Sequence, residues 1–96
     1  MTERPLNGIR ILDSTSMTAG PWGVQILADL GAEVIKIERP GRQCDVNRRL
    51  GVSAHNTSSY FMCMNKDKKS IELDYSKPGH KEIFLKLVEK CDVVTE

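Results

Sequence analysis

The strongest constraint on the fold lies between Gly8 and Gly41, where an apolar run, a small-residue loop, a helical repeat and a second apolar run follow without a break. Ile9, Ile11 and Leu12 end at Asp13, as a buried parallel strand would. Pro21 suits the first position of a helix, where its missing N–H removes no intrahelical bond. Trp22, Ile26, Leu27 and Leu30 recur at helical spacing, which predicts that they form the face lying on a sheet. Gly31 follows where a left-handed C-terminal cap is required. Val34, Ile35 and Ile37 supply a second strand, stopping at Glu38-Arg39-Pro40-Gly41. The unit has the size of one βαβ motif, and a right-handed crossover makes its strands parallel.

Beyond it, residues 40–56 are rich in Gly, Arg, Asn and Asp and read as a long loop with one helical turn, a length that usually accompanies function or partial disorder. Tyr60-Phe61-Met62-Cys63-Met64 is an apolar run that periodicity leaves open between helix and strand; like Trp22, it is expected in the core. Lys66 to Lys69 reads as a solvated charged turn. Ser70–Asp74 alternates with period two, as a third strand does. Pro78 opens a second helix, with Ile83, Phe84, Leu87 and Val88 on one face and Lys81, Glu82, Lys86 and Lys90 on the other. Val93-Val94-Thr95-Glu96 begins a fourth strand. This alternation predicts an α/β fold with a parallel sheet and flanking helices, and the stop within a strand reads as a piece of a longer α/β protein.

Fourteen Lys and Arg against thirteen Asp and Glu leave a net charge of +1, which favours neither a nucleic-acid nor a membrane partner. No apolar run approaches the roughly 20 residues of a membrane helix, and residues 1–6 lack a signal peptide's apolar core. Cys44, Cys63 and Cys91 are odd in number and form no Cys-x-x-Cys pair, as expected of reduced thiols in a cytoplasmic protein. His55 and His80 do not join them at metal-ligand spacing, so no metal site is expected.

Ligands of open α/β sheets bind outside the carboxyl ends of the strands. Here those ends are the Ser14–Gly20 loop, Glu38-Arg39 and Asp74-Tyr75-Ser76. The first is small, hydroxyl-rich and leads into a helix N-terminus, which favours an anion. Glu38 stands about where the ribose-binding acid of a dinucleotide fold stands, and Arg39 offers a planar fork to a sugar phosphate. An adenosine carrying a sugar phosphate, as in NADP or coenzyme A, matches these features. In the blander reading Glu38 and Arg39 are a solvated pair and Asp13 caps backbone amides. Gly-x-Gly-x-x-Gly is absent, leaving only Gly20-x-x-Gly23, and no His neighbours Ser14, Thr15 or Ser16 to make one a nucleophile. The residues alone lead to the nucleotide-binding half of an α/β protein.

Longer words then resemble one family. Pro5-Leu6-x-Gly8-Ile9-Arg10-Ile11-Leu12-Asp13, Ala19-Gly20-Pro21 and the run from Leu27 to Gly41 are similar to the start of class III CoA-transferases. That family includes formyl-CoA transferase, carnitine CoA-transferase and α-methylacyl-CoA racemase. The resemblance continues through Asp45-x-x-Arg48, Tyr60-Phe61, Asn65-x-x-Lys68-Lys69-Ser70-Ile71 and Leu73-Asp74 to Asp92-Val93, in order and at similar spacing.

The resemblance implies that residues 1–96 are the N-terminal part of a Rossmann-like large domain, cut within its fourth strand, in a protein whose two chains interlock as a homodimer. It implies coenzyme A contacts at Thr18, Ala19, Arg39, Leu73, Asp74, Tyr75 and Ser76, with acyl-CoA and a small carboxylic acid as substrates and no tightly bound cofactor. It further implies an aspartate nucleophile beyond Glu96, since Asp13, Asp29, Asp45, Asp67, Asp74 and Asp92 do not match that aspartate's motif; this segment then supplies no catalytic residue. Racemisation of an acyl-CoA within the same family, and a non-catalytic nucleotide-binding module, are the alternative functions. The chain departs from the family pattern at Lys77, before the helix proline, and at Gly79-His80 after it. With Lys77 as N-cap the helix lacks a capping oxygen, at a cost of about 1 kcal/mol.

Overall fold

The computed structural model describes residues 3–96. In chain order the elements are β1 (Arg10–Asp13), α1 (Ala19–Asp29), β2 (Glu33–Glu38), β3 (Ser53–Ala54), β4 (Thr57–Ser58), α2 (Ser59–Met64), β5 (Lys68–Glu72), α3 (His80–Glu89) and β6 (Val93–Thr95). Two 3-10 turns, Gly41–Gln43 and Val46–Arg49, lie between β2 and β3. Four strands form a parallel sheet in the order β5-β2-β1-β6, and β3 pairs with β4 as a small antiparallel hairpin. Numbered along the chain, the parallel strands run 3-2-1-4, the order that begins a Rossmann sheet.

Alternation along the strands sends successive side chains to opposite faces. Ile11 stands opposite Val34 and Leu12 opposite Ile35. Ile11 and Val34 join Val24, Ala28 and Ala32 in a core beneath α1. Leu12, Ile37 and Leu73 form the other core, against which Phe84, Leu87 and Val88 of α3 pack. Each fully buried aliphatic side chain contributes about 1.5–3 kcal/mol, and the two helices cover the two faces of one sheet. Among the described residues no helix is long and apolar enough to cross a membrane.

Several expectations move. The buried face of α1 is Pro21, Val24, Gln25 and Ala28, whereas Trp22, Ile26 and Leu30 are exposed. The helix is thus turned by one residue, roughly 100°, because Ala28 lets the sheet come closer than the larger side chains would. Pro21 is the third helical residue, not the first, still within the turn whose N–H groups have no intrahelical acceptor. Gly31 caps α1 as expected. Its φ is +109°, and the Ala32 and Gly31 amides return to the Leu27 and Ala28 carbonyls, as in a Schellman motif.

The ambiguous run is helical, as α2, but it has no buried residue and Met62 is exposed. The third strand begins two residues early, at Lys68. Helix α3 begins at His80, with Gly79 (φ +85°) as N-cap; neither Pro78 nor Lys77 has the expected place.

Candidate functional site

The α1 face of the sheet is apolar only over its amino-terminal half. Asp13 lies two residues beyond Ile11, and Lys36 and Glu38 lie two and four beyond Val34, so all three point to the same face. Lys68 and Ser70 stand opposite Val34 and Lys36. The excursion between β2 and β5 folds back to cover this polar patch. Lys36 and Asp45 are an ion pair at 2.9 Å, each side chain 1% exposed, and Lys36 also donates to the Thr15 carbonyl at 2.9 Å. Glu38 accepts Arg48 Nε at 2.7 Å and Nη2 at 2.5 Å, Ser70 Oγ at 3.2 Å and the Asp45 amide at 3.3 Å. The Arg48 guanidinium lies on the Phe61 ring, 3.9 Å from its centroid. Lys68 donates to Asn65 Oδ1 at 2.9 Å and to the Pro21 carbonyl at 3.0 Å, with Asp13 Oδ2 at 3.4 Å.

Burial opposes ionisation of Glu38, but the Arg48 fork outweighs it and the carboxyl titrates below its ordinary range. Burial is likewise outweighed at Asp45, by Lys36 and by the amides of Asn47 and Met17. Burial draws the Lys68 ammonium below the ordinary lysine range against the pull of Asp13. Three expectations fail here. Lys68 is not part of a solvated turn, Glu38 is buried against Arg48 rather than solvated beside Arg39, and both oxygens of Glu38 are occupied, so no ribose hydroxyl has a carboxylate there. Asp13 does cap the loop, accepting the Thr15 amide at 2.9 Å, and also takes Thr95 Oγ1 at 3.1 Å. The spacings Asp45-x-x-Arg48 and Asn65-x-x-Lys68 thus acquire a physical reason: each places a partner for a buried charge.

Above this patch runs the Ser14–Thr18 loop. Asp45 Oδ1 accepts the Met17 amide at 3.2 Å, and the Asn47 side-chain amide donates to the Met17 carbonyl. Thr18 is the N-cap residue of α1, without a side-chain cap bond, and its hydroxyl lies 2.7 Å from that of Tyr60. Ala19, exposed, opens the helix. Gly20 admits no side chain, since a Cβ there would sit 2.4 Å from Thr15 Cβ.

A cleft of about 600 Å³ opens at the carboxyl ends of the strands, lined by Ser14, Ile37, Arg39, Tyr75, Lys81 and Phe84 among others. The Tyr75 and Phe84 rings meet edge to face, centroids 5.7 Å apart at 81°. Burial raises the Tyr75 hydroxyl's pKa against the opposing effect of Arg39. A smaller polar cleft of about 260 Å³ adjoins it, and Ser14, Ile37 and Arg39 line both. The structure therefore brings Arg39 and Tyr75 together, whereas Thr18 and Ala19 line neither cleft.

Leu73 is buried in the α3-side core, its amide bonded to the Glu38 carbonyl at 2.9 Å, so its side chain is not presented to a ligand. Asp74 closes a turn on Ser76, accepting its amide at 3.0 Å and its hydroxyl at 2.6 Å. These bonds hold the Asp74 carboxyl below its ordinary pKa. His80 Nδ1 accepts the Asp74 amide at 3.0 Å, which ties the strand end to α3. Periodicity alone assigns Lys81 to the helix surface and Phe84 to the helix core. The signal for their place is that α3 starts within a few residues of a strand end, so its first turns border the cleft. The edge-to-face Tyr75–Phe84 pair gives the cleft aromatic surface, and Arg39 and Lys81, with Glu96 on the same lining, give it charge, a combination that suits a heteroaromatic ring joined to an anion.

The description "CoA-transferase family III" belongs to the family model that matches residues 6–96. A formyl-CoA:oxalate CoA-transferase of Afipia carboxidovorans is 43% identical over 93 residues, 97% of this chain and 22% of the relative. A succinyl-CoA:glutarate CoA-transferase of Mus musculus is 47% identical over 94 residues, 97% of this chain and 21% of the relative. The crystal structure of a CAIB/BAIF family protein from Brucella suis superimposes with a TM-score of 0.86 at 35% identity, covering 97% of this chain and 25% of that one. The chain thus spans about a fifth of the length of the curated relatives it matches. With a match over nearly all of its length and the same fold in a solved relative, the chain belongs to CoA-transferase family III.

Proposed function

We propose that the complete protein moves coenzyme A between an acyl-CoA and a carboxylic acid, and that these 96 residues supply part of its coenzyme A site within a Rossmann-like large domain. The observation that carries this reading is the cleft at the strand ends, which Arg39 and Lys81 line together with the edge-to-face Tyr75–Phe84 pair. The aromatic and apolar surface would take the adenine, and the cations its sugar phosphate. Thr18, Ala19, Asp74 and Ser76 would contact the remainder of the coenzyme A substrate, Leu73 through its backbone carbonyl.

The chemistry follows the family's scheme. An aspartate carboxylate outside this segment attacks the acyl-CoA carbonyl and expels CoA thiolate, leaving a mixed anhydride. The thiolate attacks the aspartyl carbonyl and releases the donor acid. The acceptor carboxylate then attacks the aspartyl-CoA thioester, and the returning thiolate takes the acceptor acyl group, freeing the aspartate. The thioester's energy is conserved throughout, so no ATP is required. We place two such chains in an interlocked homodimer in the cytoplasm.

Arg39→Ala tests the site. A charge-assisted hydrogen bond is worth roughly 1.5–3 kcal/mol, so CoA should bind about ten- to a hundredfold more weakly. Turnover at saturating acyl-CoA should change much less, because binding lost equally from ground and transition states leaves kcat intact. Variant and parent should bind dephospho-CoA about equally. An undiminished defect on dephospho-CoA would place Arg39 away from the sugar phosphate.

A further inference from the structure

Met17 has a φ of +69°, a left-handed conformation that a side chain disfavours and that its surroundings must impose. The backbone around it is held from three directions. The Thr15 amide donates to Asp13 on β1, and the Thr15 carbonyl accepts Lys36 of β2, both at 2.9 Å. The Met17 amide donates to Asp45, and the Met17 carbonyl accepts the side-chain amide of Asn47 in the second 3-10 turn. Asp45 is 4% exposed and Asn47 fully buried. Among the described residues the Asn47 side-chain oxygen has no hydrogen-bond partner, so the burial of this amide is offset only in part, by the bond to Met17. Asp45 orients Asn47 in turn, accepting its backbone amide at 3.0 Å.

The geometry points to Asn47, with Asp45, as a positioning residue that fixes the 14–18 loop in its ligand-ready shape before any ligand arrives; the identity of that ligand rests on the coenzyme A reading above. A loop already ordered loses less conformational freedom on binding, and the difference appears as affinity. The residues act through the backbone of Met17 and the path it sets for Thr18 and Ala19, without touching the ligand themselves.

A double-mutant cycle on the complete polypeptide tests this, combining Asn47→Ala with Met17→Gly and reading Kd for CoA by calorimetry. Glycine adopts positive φ without the steric penalty, so in that background Asn47 has little left to impose. Asn47→Ala should weaken binding about tenfold in the parent and less than about threefold in the Met17→Gly background, a coupling of the kind such cycles isolate. A purely structural role would lower the thermal midpoint and leave the Kd of the folded protein unchanged. That result, or equal losses in both backgrounds, would overturn the proposal. Should the parent bind no CoA, the ligand reading falls and amide exchange of the ligand-free protein decides. Asn47→Ala must then accelerate exchange across residues 15–18 while β1 and β2 stay protected, and unchanged exchange in the loop refutes the positioning role.

Discussion

Asp45→Asn keeps the shape of a side chain that is 1% exposed and 2.9 Å from an equally buried Lys36, and removes its charge. The amide oxygen can still accept from the Met17 and Asn47 amides, now at 3.2 and 3.0 Å. Lys36 is left with the Thr15 carbonyl at 2.9 Å and no anion. Breaking one side of a buried pair typically costs about 3–5 kcal/mol. At roughly 0.05–0.15 kcal/mol per residue a chain of this size has only about 5–14 kcal/mol to lose. Lys36→Met should sit near the lower end of that cost, since two backbone donors continue to solvate the Asp45 carboxylate. The double variant Lys36→Met/Asp45→Asn buries no charge and chiefly orphans the Thr15 carbonyl, worth about 1–3 kcal/mol. It should therefore be more stable than Asp45→Asn alone. Urea unfolding at neutral pH, followed by circular dichroism, reads this directly: at about 1–3 kcal/mol per molar, a loss of about 3 kcal/mol moves the midpoint by about 1–3 M. Single-variant losses below about 1 kcal/mol, or a double variant equal to the sum of the two, would show that the pair is not the desolvated unit described.

Three further outcomes are expected. Glu38 and Asp45 have depressed pKa values, so their stabilisation is full above the ordinary carboxylate value of about 4 and is lost as pH falls through their folded values; an acid titration in which Glu38→Gln unfolds with the same pH profile as the parent would contradict this. Gly20→Ala would put a Cβ 2.4 Å from Thr15 Cβ, so the loop must shift and CoA affinity should drop more than thermal stability, as calorimetry and melting curves would reveal. Gly31→Ala, at φ +109°, should destabilise by about 1–3 kcal/mol without a change in the CoA affinity of the folded protein, and an unaltered melting temperature would count against the cap assignment.

Local pattern determined much of this protein. The βαβ order from Gly8 to Gly41, the parallel sheet, the Gly31 cap and, except for Ile83, which is exposed, the apolar face of α3 were legible because each follows from a local pattern of residues. The strand ends were legible too, and with them Arg39 and Tyr75 as neighbours of a cleft. Tertiary structure decided which face of α1 is inside, since small Ala28 permits an approach that Trp22 and Ile26 do not. It also decided the fate of the charges. Glu38, Lys36 and Lys68 look like surface residues in one dimension, and their partners Arg48, Asp45 and Asn65 lie outside their own strand pairs, brought over the sheet by the excursion after β2. Burial of a charge depends on a partner arriving from elsewhere in the chain, and spacing along the sequence does not encode that arrival. For the same reason the left-handed Met17 and its Asn47 restraint emerge only once the excursion is folded over the first loop.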